Sequence, residues 1–173
     1  FPQVTIVADM KVADTGAIEV EMAAKAGADI VCILADADDA VVADAVRAAR
    51  LYGIRLMADL INAADPPARA AQLESMGVDI ICAHVGIDQQ MTGKDSLDLL
   101  STLAGKVHIP VAVAGGIDAE GAAEAVGRGA GIVIVGGWII RSADVTASAR
   151  KIRAAMDEPS TVSRTRKTGD EET

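Results

Sequence analysis

Aromatic residues are nearly missing from this chain: Phe, Trp and Tyr together supply 2% of its 173 residues, while 51% are hydrophobic. A core must therefore be built from Ala, Val, Ile and Leu. This length allows one domain with a sizeable core, and small aliphatic side chains with 16 glycines favour closely packed layers of helix on sheet.

Long apolar runs and excess positive charge are missing as well. No run reaches the roughly 18 residues that a membrane span needs, and no signal peptide precedes the first strand, so we expect a soluble cytoplasmic protein without a membrane partner. The 25 acidic residues exceed the 16 Lys and Arg by nine. This balance argues against a nucleic-acid partner, because a surface that tracks phosphates should be basic.

Cysteine is scarce, with two residues in the whole chain. Cys32 and Cys82 lie inside apolar strand-like runs, and no CxxC spacing or third ligand accompanies them. We predict buried free thiols rather than a disulfide or a zinc site.

What the sequence does contain is a repeat of short aliphatic runs. Each run is continuous rather than alternating, which is typical of strands buried on both faces of a parallel sheet. Alanine-rich amphipathic segments lie between them, and these end at glycines, as helices do. The runs are VTIVAD, DIVCILA, RLMADLI, DIICAHV, PVAVAGG and GIVIVGG, starting near residues 4, 29, 55, 79, 110 and 132.

Polar residues follow nearly every run, and this pattern separates the two βα architectures. A doubly wound sheet would concentrate its ligand groups at one switch point. In this sequence polar residues instead follow the carboxyl ends of most strands, and this distribution predicts a (β/α)8 barrel of the TIM type. A complete barrel takes about 250 residues, so six units predict an incomplete barrel that lacks the first two. We assign residues 1–156 to this domain and 157–173 to a disordered tail or linker, since the latter have no apolar face.

The segment VADMKVAD places Asp9, Lys11 and Asp14 at the end of the first run. Alternation along an extended strand end would aim Asp9 and Lys11 to the same side, toward the barrel mouth. There, unlike charges can bind a metal, hold a substrate hydroxyl or shift one another's pKa. Asp14 and its neighbour Thr15 also suit the cap of the next helix.

Histidine occurs twice, in different settings. His84 follows an apolar run, where barrel enzymes keep an acid or base, and an imidazole titrates in the useful range. His108 precedes its run, at the opposite rim, so we interpret it as structural.

Glycine pairs end the last two runs, at Gly115–Gly116 and Gly136–Gly137. Their backbone N–H groups, with the following helix N-termini, predict a phosphate site. Asp59 ends another run and could contact substrate or metal, or only pair with Lys11. The acidic loop ADADDA matches no calcium loop and is interpreted as capping and solvation.

Four motifs in this order, Asp9-x-Lys11-x-x-Asp14, HVGIDQQ, VAVAGGI and IVIVGG, resemble the 3-hexulose-6-phosphate synthases of the orotidine 5′-phosphate decarboxylase suprafamily. The likeness runs from about Val4 to Met156. It implies a dimeric aldolase that uses Mg²⁺ to condense D-ribulose 5-phosphate with formaldehyde through an enediolate.

The resemblance also implies residue roles. Asp9 would bind the metal, His84 would transfer the proton, and Lys11 would lie beside the enediolate oxygens. Asp14 would reach the site of a neighbouring subunit. Backbone amides of the two glycine pairs would bind phosphate.

Departures from the family leave alternatives open. In family members, another metal-binding carboxylate and an Asp of the first strand come from the two strands that we expect to be missing here. The chain is therefore either a fragment or a non-catalytic remnant that binds sugar phosphate. Sister decarboxylases of 3-keto-L-gulonate 6-phosphate carry an Arg at the position of Ile87. Orotidine 5′-phosphate decarboxylases place an Arg at the position of Gly137.

Overall fold

Six parallel strands form a single sheet, in the order in which they occur along the chain, in a computed structural model that describes residues 3–157. Each strand pairs in parallel with the next, and the connections are helical. This sequential order confirms an α/β fold of the TIM-barrel type over a doubly wound sheet, in which the strand order would reverse.

The bounds of the elements follow the repeat. The strands are β1 (Val7–Val12), β2 (Ile30–Leu34), β3 (Arg55–Asp59), β4 (Ile80–His84), β5 (Val111–Ala114) and β6 (Ile132–Ile134). The helices are α1 (Gly16–Lys25), α2 (Asp39–Tyr52), α3 (Pro66–Met76), α4 (Ile87–Met91), α5 (Ser96–Leu103), α6 (Ala119–Gly127), α7 (Gly137–Ile140) and α8 (Val145–Asp157).

The central strands β2 to β5 are largely buried on both faces, which explains their continuous apolar runs, whereas β1 and β6 are mostly exposed or half-buried. Successive residues of a strand point to opposite faces, so Val31 and Ile33 pack with the helices while Ile30 and Cys32 point to the inner face. The inner cluster comprises Ile30, Cys32, Met57, Ile80, Cys82, Ala112 and Ala114. Cys32 and Cys82 are buried and free, as predicted.

The structure confirms that glycines end helices and that aspartates cap their first turns, as the sequence predicts. Helices α2 and α3 end at Gly53 and Gly77 in the left-handed conformation, with φ of 69° and 96°. Asp65 caps α3 by accepting a hydrogen bond from the N–H of Ala68, and Pro66 opens that helix. Asp38 of the acidic loop caps α2, which confirms the capping interpretation.

Two boundaries differ from the sequence expectation. Strand β1 begins at Val7 rather than near residue 4, and it continues through Lys11 to Val12. Helix α8 extends to Asp157, the first residue of the predicted tail. The rest of that tail, 158–173, lies outside the described residues.

His108 lies before β5, at the amino-terminal rim, where its side chain is 90% exposed and its Nδ1 is 3.6 Å from Glu74. This position agrees with its structural interpretation. Between residues 3 and 157, no helix combines the length and the apolar character needed to cross a membrane.

Candidate active site

A cavity of about 760 Å³ occupies the inner face of the sheet and its carboxyl-terminal rim. Eight of the nine predicted site residues line it: Asp9, Lys11, Asp59, His84, Gly115, Gly116, Gly136 and Gly137. The ninth, Asp14, is exposed and does not line this cavity. The fold therefore brings together groups that are up to 128 positions apart in the sequence, from Asp9 to Gly137.

Asp9 and Lys11 reach the cavity through a bulge in β1 rather than through regular alternation. The pairing with β2 shifts between Ala8 and Val12, and Lys11 has φ of 49°, in the left-handed region. For a residue other than glycine this conformation costs about 1–2 kcal/mol. The Lys11 Nζ nevertheless lies 3.2 Å from Asp9 Oδ1, so the two side chains meet as predicted, for a different structural reason.

Asp59 is the centre of the polar network. It ends β3, its residue is 2% exposed, and its Oδ2 accepts a hydrogen bond from Lys11 Nζ at 2.5 Å. The same oxygen lies 2.8 Å from His84 Nδ1, and Oδ1 accepts from the N–H of Ile61 at 3.0 Å. The sequence left open a substrate or metal contact or a pairing with Lys11; the structure confirms the pairing with Lys11 and adds His84 on the same carboxylate.

The pKa values of the paired groups move apart. Burial alone would raise the pKa of Asp59, but hydrogen bonds and charge from His84 and Lys11 outweigh burial and lower it. Burial alone would likewise lower the pKa of Lys11, and the hydrogen bonds and charges of Asp59 and Asp9 raise it instead. At neutral pH the network therefore contains a carboxylate and an ammonium ion.

An ionised Asp59 fixes the tautomer of the histidine. A carboxylate only accepts hydrogen bonds, so the nitrogen that faces it, His84 Nδ1, must carry a hydrogen. The other nitrogen, Nε2, makes no hydrogen bond within residues 3–157. In the neutral ring Nε2 then holds the lone pair, which suits it to accept a proton from a bound molecule.

The first glycine pair is required by packing. Gly115 and Gly116 have φ of 103° and 70°, and a Cβ at Gly115 would overlap the carbonyl oxygen of Val85. A Cβ at Gly116 would lie 2.8 Å from Gln90 Oε1, while Gln90 Nε2 donates to that same Val85 carbonyl. Only glycine permits this close approach of the turn to the end of β4.

The backbone N–H groups of both glycine pairs remain available. In the described part of the chain, Gly115, Gly116, Gly136 and Gly137 donate no backbone hydrogen bond. The expected contribution of the helix N-termini is smaller than the sequence implied. Asp118 caps α6 through the N–H of Gly121, and α7 has four residues, too short for a sizeable dipole.

Two carboxylates and a thiol could hold a cation. Donor atoms of Asp9, Cys32 and Asp59 lie within 4.8 Å of one another. The carboxylate oxygens suit Mg²⁺, which prefers oxygen ligands. The thiol does not, because burial raises the pKa of Cys32 and keeps it protonated. The Asp59 oxygens already bind Lys11, His84 and Ile61, which leaves Asp9 as the carboxylate best placed for a metal.

Among the polar and aromatic residues that line the cavity, sequence reasoning assigned no role to Gln90, Trp138 or Arg141. Gln90 stands in the motif HVGIDQQ, so its position beyond His84 was a signal that could have identified it. Arg141 had no such signal, because it returns to the glycine pair only through the turn of α7. Ile87, the residue expected to separate synthases from sister decarboxylases, also lines the cavity mouth and is 78% exposed.

Known proteins resemble this chain over most of its length. A 3-hexulose-6-phosphate synthase of Bacillus subtilis is 38% identical over 154 residues, which cover 88% of this chain and 73% of that protein. The crystal structure of a 3-hexulose-6-phosphate synthase from Salmonella typhimurium superposes with a TM-score of 0.87 at 34% identity, covering 92% of this chain and 76% of that one.

A 3-keto-L-gulonate-6-phosphate decarboxylase from Vibrio cholerae is less similar, with a TM-score of 0.74 at 25% identity over 91% of this chain and 74% of that one. The sequence model of the orotidine 5′-phosphate decarboxylase / HUMPS family matches residues 2–152. Together with the polar network at the carboxyl-terminal rim, these matches show that the chain belongs to the orotidine 5′-phosphate decarboxylase / HUMPS family.

Proposed function

We propose that this protein is a carbon–carbon lyase of the 3-hexulose-6-phosphate synthase type, which condenses D-ribulose 5-phosphate with formaldehyde through an enediolate. The observation that supports this most directly is the network of Asp9, Lys11, Asp59 and His84, in a cavity that is also lined by two glycine turns with open backbone amides. The two relatives named for this activity above are 38% and 34% identical.

In the proposed reaction His84 removes a proton from the carbon next to the sugar carbonyl. Its Nε2 has the lone pair, because Asp59 holds the hydrogen on Nδ1. The electron pair of the broken C–H bond forms the enediolate, which then attacks the formaldehyde carbon and forms the new C–C bond. The formaldehyde oxygen takes up the proton that His84 removed, which regenerates the base, so the product contains all atoms of both substrates.

Lys11 is placed to stabilise the enediolate. Its ammonium group stays charged because its pKa is raised, and it lies between Asp9 and Asp59 at the cavity wall. A fixed positive charge beside developing negative charge favours the transition state over the ground state. The proposed metal is Mg²⁺ at Asp9; when bound, it would offset the same negative charge.

We further propose that two βα units beyond those described here complete the barrel between β6 and β1. Within residues 3–157, β1 pairs with β2 alone and β6 with β5 alone, so each has one open edge. The matched relatives are longer, since this chain covers 73% and 76% of them. Such units would supply the second metal-binding carboxylate that the resemblance implies.

A homodimer is the proposed assembly. Ile18 and Met22, four residues apart on α1, are 60% and 61% exposed, and Asp14 precedes them outside its own cavity. A second copy that covers this face would place Asp14 near a neighbouring site. Sedimentation velocity of the protein and of Ile18→Glu tests this: a dimer that dissociates in the variant supports it, and a monomeric wild-type protein contradicts it.

The test of the activity is Mg²⁺-dependent consumption of D-ribulose 5-phosphate upon addition of formaldehyde, with Asp9→Ala expected to abolish turnover. Carbon dioxide release from 3-keto-L-gulonate 6-phosphate would instead favour the sister decarboxylases. Ile87 argues against that activity, because those relatives carry an Arg at this position.

A fusion of the first two βα units of the Bacillus subtilis relative to this chain tests the proposed barrel. Activity that appears only in the fusion would identify this chain as a fragment. Substrate binding without turnover in either form would identify a non-catalytic sugar-phosphate-binding remnant.

A further inference from the structure

We propose that Arg141 binds the phosphate group of the substrate beside Gly136–Gly137, an inference that rests on the sugar-phosphate substrate proposed above. Arg141 follows α7 directly and lines the same cavity as Lys11 and His84. Its side chain folds back over the start of that helix, where Nε donates to the carbonyl oxygen of Gly137 at 3.2 Å. The guanidinium is thereby held at the glycine turn.

The charged residues that line the cavity explain why a phosphate group would need Arg141. The charged residues that line the cavity are two cations, Lys11 and Arg141, and two carboxylates, Asp9 and Asp59. Lys11 is paired with both carboxylates, while Arg141 forms no ion pair within the described range, 3–157. Without Arg141 the remaining charges would repel a phosphate dianion. An unpaired guanidinium offers several N–H donors that match phosphate oxygens.

Gly137 makes room for this side chain. A Cβ at position 137 would lie 2.6 Å from Arg141 Nη2, well inside contact distance, so any larger residue must displace the guanidinium. The backbone of Gly137 does not have the positive φ that strains other residues. A side chain at position 137 would occupy the space that the guanidinium now uses, so Gly137→Ala would move the charge without removing it.

The experiment measures binding separately from turnover. Calorimetry with D-ribulose 5-phosphate, NMR titration with inorganic phosphate, and D-ribulose as the uncharged comparison are applied to the wild type and to Arg141→Gln. Loss of a charge-assisted contact predicts about 10- to 100-fold weaker binding of both phosphate-bearing ligands, with D-ribulose unaffected. Arg141→Lys should weaken the binding of both phosphate-bearing ligands by about threefold to tenfold, because lysine keeps the charge but lacks the planar pair of N–H donors of a guanidinium.

Two further variants sharpen the result. Arg150→Gln makes the same change in net charge on exposed α8, outside the cavity, and should bind like the wild type. Gly137→Ala should weaken phosphate binding by an amount between Arg141→Lys and Arg141→Gln, with an unchanged circular dichroism spectrum.

Wild-type affinity of Arg141→Gln for both phosphate ligands would overturn the assignment, whether or not the protein condenses formaldehyde. Arg141-dependent binding without turnover would contradict the proposed lyase activity while supporting Arg141. Failure of the wild-type chain to bind either phosphate ligand would overturn both proposals.

Discussion

His84 Nδ1 lies 2.8 Å from Asp59 Oδ2, across the carboxyl ends of the neighbouring strands β4 and β3. The carboxylate is buried and also accepts from Lys11 Nζ, so one oxygen atom links the proposed base to the proposed electrostatic group. This shared oxygen makes Asp59 the residue on which the geometry of both depends.

Replacing Asp59 with Asn should lower turnover by about 10²- to 10⁴-fold, because the amide neither keeps the Nδ1 tautomer nor balances Lys11. The kcat for formaldehyde-dependent consumption of D-ribulose 5-phosphate is the measurement. Asp36→Asn, the same change at an exposed loop position, is the matched control and should keep full activity. Activity of Asp59→Asn within threefold of the wild type would contradict this role.

His84→Ala should lower the rate by about 10²- to 10⁴-fold, the usual effect of removing a general base. The step itself is observable by NMR as exchange of substrate hydrogen for deuterium in D₂O without formaldehyde. His108→Ala serves as the control, since that side chain is 90% exposed at the opposite rim. If His84→Ala still exchanges the hydrogen at the wild-type rate, another group is the base.

Gly53 and Gly115 both have positive φ, 69° and 103°, but we expect alanine to cost them different amounts of stability. Gly53→Ala places a Cβ in open space and should cost about 1–2 kcal/mol in the free energy of unfolding, the left-handed penalty. Gly115→Ala meets the Val85 carbonyl as well, which should add about 1–3 kcal/mol of overpacking. Urea denaturation of both variants provides the comparison; equal losses would show that the turn at Gly115 can relax.

Glu74 predicts a pH dependence of stability. The backbone N–H groups of His108 and Ile109 donate to its Oε1 at 2.8 and 3.1 Å, which lowers the pKa of Glu74. Since the folded pKa lies below the unfolded value, the stabilisation is complete above the unfolded pKa of about 4.3 and is lost as the pH falls through the folded pKa.

The measurement is the urea midpoint of the wild type and of Glu74→Gln between pH 7 and pH 3. The difference between the two proteins should be largest near pH 7 and shrink toward zero at the acidic end. Asp36→Asn, whose side chain has no such contact, should show no comparable convergence. A difference that does not change with pH would mean that the charge of Glu74 contributes nothing.

Much of the fold could be predicted from the sequence because its signals are local. The continuous runs from DIVCILA to GIVIVGG became β2 to β6, and Gly53, Gly77 and Asp65 ended or began helices where expected. Burial on both faces fixes the composition of such strands, and only certain residues suit the left-handed and capping positions. The first strand was placed less well: it begins at Val7 rather than near residue 4, and its register shift between Ala8 and Val12 was not predicted.

The candidate site was predictable in membership and less so in arrangement. The sequence by itself determined that polar residues follow the strands, and parallel strands bring those ends to one rim. Only the tertiary structure decided that Asp59 joins Lys11, 48 positions away, to His84, and that Arg141 lies over Gly137. These relationships depend on strand register, on the bulge at Lys11 and on the turn of a short helix, and each of these is set by packing between segments that are distant in the chain.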